Sequence, residues 1–207
     1  KREGGYLMLE VAKIRKDFPM LNGTKMHDQP LIYFDNGATT LKPQCVIDAV
    51  CNYLTNYSGN AHRGDYDLSH DVDVQFERTR ELVSKFINCD STEVVYTYGS
   101  TDGLNLVAFG YGLTHLNEGD EILITLAEHA SNTLPWFEVS KQTGSVVKYI
   151  DLDEDGRLTV ENVIKAISDK TKIISIAQIT NVLGFDSPIK EICKIAHEKG
   201  IIVCVDG

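Results

Sequence analysis

The sequence predicts an α/β fold, a mainly parallel sheet with flanking helices. Two observations carry that prediction. From residue 93 onward, strand-length apolar runs alternate with helix-length amphipathic segments. The strand runs are continuous Val/Ile/Leu stretches rather than alternating ones, the pattern of a sheet covered on both faces.

The elements follow in order. A helical pattern around Tyr6 to Lys16 is broken by Phe18-Pro19, and a loop runs to Pro30. Leu31 to Phe34 reads as a short strand. Thr40, Lys42 and Pro43 read as a helix start, because proline's missing N–H costs nothing in a first turn. Val46, Ile47, Val50, Cys51 and Leu54 then repeat at helical spacing. Tyr57 to Leu68 is polar and irregular, and Ser69 is a candidate cap for a helix whose apolar side includes Val72, Phe76, Leu82, Val83 and Phe86. Strands are expected at Glu93–Thr97, Glu121–Thr125, Ser145–Ile150, Lys172–Ala177 and Ile201–Val205. Helices are expected at about Thr101–Tyr111, Asn132–Gln142, Thr159–Ser168 and Pro188–Lys199. The expected organisation is an N-terminal helical extension over residues 1–30 and one α/β domain over residues 31–207.

Charge narrows the partners. With 20 Lys+Arg against 30 Asp+Glu the formal net charge is −10, which argues against nucleic-acid binding. No apolar run approaches the ~20 residues of a membrane span, and no secretory signal stands at the beginning, so a cytoplasmic protein is expected. The five cysteines have no C-x-x-C pair among them, and reduced, buried structural thiols are expected rather than a metal site or disulfides.

In open α/β sheets, ligands bind beyond the carboxyl ends of the strands. Gly99-Ser100-Thr101-Asp102-Gly103 follows the first predicted strand of the alternating region, Glu128-His129 the second, Thr180-Asn181 the fourth and Asp206 the fifth. The glycine and hydroxyl turn suits an anion, since free N–H groups and the helix dipole favour a phosphate there. Each residue also has a plain structural reading. Ser100 can be an N-cap, His129 a polar loop residue, Asn181 a turn former and Asp206 a cap for a following helix. G-x-x-x-x-G-K-[ST] is absent, and Gly110-Tyr111-Gly112 has His115 where a third glycine would complete a dinucleotide fingerprint. Asp151 to Gly156 looks like the beginning of a calcium loop, but Asn162 occupies the position of the bidentate glutamate, so an acidic turn is expected.

Taken in order, the motifs match a family. Tyr33-Phe34-Asp35-Asn36-Gly37-Ala38-Thr39-Thr40, His62-Arg63-Gly64, Gly99 to Val107, Glu128-His129, Asn132, Pro135-Trp136, Asn181-Val182-Leu183-Gly184 and Val205-Asp206-Gly207 resemble class V aminotransferase-fold enzymes. The set is most similar to the cysteine desulfurase and selenocysteine lyase branch. The resemblance runs from about Asp17 to the last residue. It implies the large domain of a fold type I enzyme dependent on pyridoxal 5′-phosphate (PLP).

The resemblance also implies roles. Ser100 and Thr101 would hold the phosphate, and His129 would stack on the ring and serve as the catalytic imidazole. Asn181 would meet the phenolic oxygen and Asp206 the pyridinium nitrogen. Gly37, Ala38, His62 and Arg63 would lie toward the substrate, with L-cysteine the implied substrate, no metal, a homodimer and a sulfur-acceptor protein as partner. Gly37, Tyr98 and Asp65-Tyr66-Asp67 depart from the usual family residues, which bears on the substrate more than on the cofactor. Another class V aminotransferase or β-lyase and a non-catalytic interaction fragment are the alternative readings. The family's Schiff-base lysine, its nucleophilic cysteine and the carboxylate-binding arginine belong to positions after Gly207, so an N-terminal portion without turnover is expected. Alanine and sulfide release from L-cysteine checks this: the 207-residue chain is expected to release neither above a blank.

Overall fold

The strand that begins at Glu121 is buried at all five of its positions, and the sheet is built around it. The computed structural model describes residues 9–207, which divide into two compact units between Val95 and Tyr96. The second unit holds the sheet. Its strands are β3 (Glu121–Thr125), β4 (Val146–Ile150), β5 (Thr171–Ala177) and β6 (Ile202–Asp206), all parallel and in the order β4-β3-β5-β6. Between them run α6 (Ala130–Thr143), α7 (Val160–Ala166) and α8 (Ile189–Glu198), preceded by α4 (Ser100–Val107).

Continuous apolar strands are explained by two separate cores. Leu123, Ile174 and Ile176 pack with Val163, Ile192 and Ala196 of α7 and α8. Ile122, Ile124 and Ile173 pack with Ala108, Trp136 and Val139 on the other side. Successive strand residues point to opposite faces, so both faces need apolar side chains. Each fully buried Ile or Leu contributes about 1.5–3 kcal/mol. After α4 the helix widens into a π-helical turn at Ala108–Gly112 before α5 (Leu113–His115), where one continuous helix was expected. Gly112 allows that turn to approach α6, since a Cβ there would lie 3.1 Å from Val139 and 3.2 Å from Trp136.

One buried acid ties the base of the sheet together. Glu121 is 5% exposed and accepts from Lys148 Nζ at 2.6 Å and Ser168 Oγ at 2.7 Å. Burial alone would raise its pKa, but Lys148 with the Ser168 and Thr171 hydroxyls outweighs burial and holds the carboxyl below its ordinary value.

The first unit carries a two-residue hairpin, β1 (Lys25–Met26) against β2 (Gln29–Pro30), where a plain loop was expected. Its helices are α1 (Val11–Ile14), α2 (Gln44–Asn52) and α3 (Asp67–Ile87). Of the predicted first helix, the described part shortens to α1 plus a 3-10 turn at Arg15–Asp17, and Tyr6 to Met8 lie outside the described residues.

Four expectations need correcting. Leu31–Phe34 and Glu93–Thr97 form no strands, because no described strand pairs with either. At the second, a capping box takes over: Asp90 accepts from Thr92 N, Glu93 Oε2 accepts from Asp90 N, and a 3-10 turn forms at Ser91–Glu93. Ser69 does not cap α3; it lies inside the helix, fully buried, and its hydroxyl donates to Asn60 O. The cysteines are free but none is buried, with Cys45 and Cys51 exposed on α2 and Cys89, Cys193 and Cys204 half-buried. The periodic faces of α2 and α3 are also largely open, with Val50 and Phe86 exposed. Periodicity fixes a helix, but burial requires a surface to pack against.

The depressed Glu121 carboxyl makes a pH-dependent prediction. A group with a lowered folded pKa stabilises above its unfolded value and loses that contribution as pH falls through the folded one. Lys148 is half-exposed, so Lys148→Met is expected to cost about 1 kcal/mol at pH 7. Urea denaturation should show that difference shrinking as the pH falls below about 4, in the range where glutamate protonates. A pH-independent difference would contradict the pairing.

Candidate active site

The sheet order places a crevice. From β3 the chain moves outward to β4, then crosses back to place β5 on the other side of β3. The connections leaving β3 and β5 therefore diverge, and the gap beyond their carboxyl ends is the topological switch point. Glu128 and His129 follow β3 into this gap, and Asn181 follows β5.

His129 is the N-cap of α6. Its Nδ1 accepts from Ser131 N–H at 3.2 Å and lies 2.6 Å from Ser131 Oγ. A backbone N–H can only donate, so Nδ1 carries no proton and the neutral ring is the Nε2–H tautomer. The imidazole, though exposed, is thus engaged as the cap of α6 rather than being a bare loop residue.

Two open cavities meet at this histidine. One, of about 530 Å³, is lined by Thr101 and Asn105 of α4 together with His129, Ser131 and Leu134. The other, of about 440 Å³, is lined by Glu128 and His129 on one side and Asn181, Val182 and Leu183 on the other. Thr101, His129 and Asn181 are therefore brought around one turn. Ser100 opens α4 beside Thr101, after Gly99 at φ 149°, a conformation that favours glycine. Asp102, the acid of that first turn, accepts from Tyr98 N at 3.2 Å.

Asn181 is exposed at the tip of a turn. The turn is closed by Thr180 N donating to Phe185 O and Gly184 N donating to Thr180 O. Phe185 in turn lies under the Arg157 guanidinium, 4.0 Å from it. Arg157 ends the acidic turn, whose Asp153 Oδ1 accepts from Asp155 N and Arg157 N. That carboxylate is used in shaping the chain, as an acidic turn requires.

Asp206 ends β6, half-buried, opposite Ala177 in the parallel register. Glu128 lies close enough to feel its charge. The Glu128 carboxyl is pushed above its ordinary value, first by burial and also by Asp206, against hydrogen bonds from Thr125, Asn132 and Ala177 N. A raised carboxyl stabilises below its unfolded pKa and loses that contribution as pH rises through the folded one, so the charged form is held at a cost to the fold.

Four predicted residues belong to the first unit. Gly37 and Ala38 form an exposed turn, with Ala38 N and Thr39 N donating to Asp35 O. His62 has φ 58°; its N–H donates to Asp73 Oδ1 at 2.6 Å, and its ring nitrogens lie 3.6 Å from Asp73 and 3.5 Å from Glu77. Arg63 is exposed beside it.

A family model described as "Aminotransferase class-V" matches residues 32–207. The chain belongs to that family. Among class V relatives it is 45% identical over 200 residues to a probable cysteine desulfurase of Halalkalibacterium halodurans, covering 96% of this chain and 49% of that protein. It is 41% identical over 197 residues to a probable cysteine desulfurase of Synechocystis, covering 95% of this chain and 47% of that one. The apo cysteine desulfurase from Thermococcus onnurineus superposes with a TM-score of 0.86 at 35% identity, over 95% of this chain and 47% of that one. The Escherichia coli cysteine desulfurase CsdA gives 0.81 at 32%, over 95% and 48%. The chain thus spans about half the length of these relatives. The α/β class, with a parallel sheet flanked by helices as in the fold type I enzymes, is borne out.

Sequence reasoning gave no role to Asn132, Ser175 or the Glu128 side chain. The signal available was an i, i+4 Glu–Asn pair and a lone serine inside an apolar strand.

The His129 tautomer is directly measurable. Ser131→Ala removes one donor to Nδ1, worth about 1 kcal/mol. Nitrogen-15 NMR of the neutral imidazole is expected to show the Nε2–H to Nδ1–H ratio falling about fivefold. An unchanged ratio would mean Ser131 does not set the tautomer.

Proposed function

We propose that the chain is the cofactor-holding portion of a PLP-dependent cysteine desulfurase, which moves sulfur from L-cysteine to a thiolate and leaves alanine. The observation that carries this reading is the meeting at His129 of the two cavities that reach Thr101 and Asn181. The relatives named as cysteine desulfurases support the choice of chemistry.

The residues present suit PLP. The helix beginning at Ser100 offers unpaired first-turn N–H groups and two hydroxyls, the donor set a phosphate needs. A Cβ added at Gly99 meets nothing within 4 Å, so the approach is open. Bound PLP supplies an electron sink for a negative charge at the amino acid's α-carbon. In the proposed arrangement Ser100 and Thr101 hold the phosphate and the His129 ring forms one wall. Asn181 donates to the phenolic oxygen. Asp206 holds a proton on the pyridine nitrogen, as a carboxylate does for an adjacent cation.

Gly37, Ala38, His62 and Arg63 are proposed for the substrate side, and residues 31–207 as the PLP-binding domain with residues 1–30 as its extension. None of the five cysteines is assigned as the sulfur-accepting thiolate. Assembly as a homodimer, delivery of sulfur to an acceptor protein for iron–sulfur clusters, and a cytoplasmic setting complete the proposal. No helix among the described residues is long and apolar enough to cross a membrane, which accords with that setting.

Trp136, the chain's single tryptophan, follows Pro135, which lines the first cavity, and so reports on the site. Titration of PLP is expected to quench its emission saturably. Ser100→Ala/Thr101→Ala is expected to weaken binding about tenfold or more, since hydrogen bonds to a charged group contribute about 1.5–3 kcal/mol each. No saturable binding, or equal affinity for pyridoxal without its phosphate, would overturn the reading.

A further inference from the structure

Behind His129 lies a directional hydrogen-bond chain that converges on one carboxylate. Ser175 Oγ, on β5 and fully buried, donates to Asn132 Oδ1 at 2.6 Å. Asn132, also fully buried in the first turn of α6, passes its Nδ2–H to Glu128 Oε2 at 2.7 Å. From the other side Thr125 Oγ1, at the end of β3, donates to Glu128 Oε1 at 2.7 Å. That hydroxyl is itself oriented, because it accepts from Ala127 N–H at 3.2 Å. Ala177 N–H, at the end of β5, favours the charged form of the same carboxylate. The backbone closes the arrangement, with Asn132 N donating to His129 O at 2.8 Å.

We infer that Glu128, through Asn132 and Ser175, is a positioning residue that fixes the His129 imidazole as the wall of the cofactor site. The inference rests on the PLP reading only for what the wall faces. The physical argument is one of acceptors. The carboxylate takes hydrogen bonds from β3 and α6, His129 follows Glu128 directly in the chain, and Ser131, which holds the ring, lies between His129 and Asn132 in the same turn. Every donor in the set is committed inward, so Glu128 and Asn132 together determine how the turn between β3 and α6 is held. An apolar side chain would fill a plain structural role without the desolvation cost. Burial and the neighbouring Asp206 both push the Glu128 carboxyl above its ordinary value, yet its two oxygens are the acceptors of these bonds.

The arrangement predicts a rescue. Glu128→Gln replaces one acceptor oxygen with a donor that faces the Asn132 amide, and Asn132→Asp sets a second carboxylate against the first. Made together, the two substitutions restore the pattern. The new side-chain amide at position 128 donates its N–H to the new carboxylate at position 132, which still accepts from Ser175. The amide oxygen at position 128 still accepts from Thr125. The experiment compares both single variants, the double variant and the parent, all as the 207-residue chain. The first readout needs no cofactor: the nitrogen-15 NMR tautomer ratio and line width of His129. The second is PLP affinity from Trp136 quenching.

Each single variant is expected to mix the tautomers, broaden the His129 signal and weaken PLP about tenfold. The double variant is expected to recover both readouts to within about threefold of the parent, a coupling of the size found in shared networks. Single variants with parental His129 signals, or a double variant no better than the worse single one, would overturn the inference. So would a double variant that fails to fold, because it keeps the side-chain bonds. If the parent binds no PLP, the functional reading fails while the NMR comparison still decides the positioning role.

Discussion

The parallel pairing of β3 with β5 is the constraint on which the second unit depends. Both strands are buried on both faces, so the pairing cannot shift by one residue without exchanging the two cores. The register that packs Leu123 against Ile174 also fixes where each strand ends. Those ends deliver Glu128-His129 and Thr180-Asn181 to the same gap. The site is therefore a by-product of core packing, and its precision is inherited from close-packed side chains rather than from the loops themselves.

Two acids of this unit, the buried Glu121 and the half-buried Glu128, are handled in opposite ways. Glu121, at the amino end of β3, has a lysine and two hydroxyls, and its charge is favoured. Glu128, past the carboxyl end of the same strand, has hydrogen bonds but no cation, with Asp206 nearby, and its charge is disfavoured. The first pattern serves stability. The second concentrates negative potential where the proposed reading puts a protonated pyridine nitrogen. Perturbed carboxyls of this second kind gather at functional sites because the fold alone gains nothing from them.

Much of the second unit was legible in the sequence. β3 was placed residue for residue, and β4, β5 and β6 to within one, because uninterrupted Val/Ile/Leu runs leave little choice of element. The first unit was harder to read. Leu31–Phe34 and Glu93–Thr97 have strand composition, but a strand also needs a neighbour to accept its hydrogen bonds, and sequence does not say whether one is present. At the candidate site, His129, Asn181 and Asp206 were visible as polar residues at strand ends, and Thr101 as a hydroxyl at a helix start. The Glu128–Asn132–Ser175 chain was not, since Asn132 and Ser175 stand 43 residues apart and only the sheet register brings them together.

The thiols show a different side of the same architecture. Burial, together with the charges of Asp206 and Glu128, pushes the Cys204 thiol above its ordinary value, and burial does the same for Cys193. Thiolate is the reactive form, so both are poor nucleophiles at neutral pH. Cys45 and Cys51 are exposed on α2. A limiting dose of maleimide therefore sorts the sulfur atoms by location: dyes or spin labels go to the first unit, and the network beneath His129 is left chemically untouched.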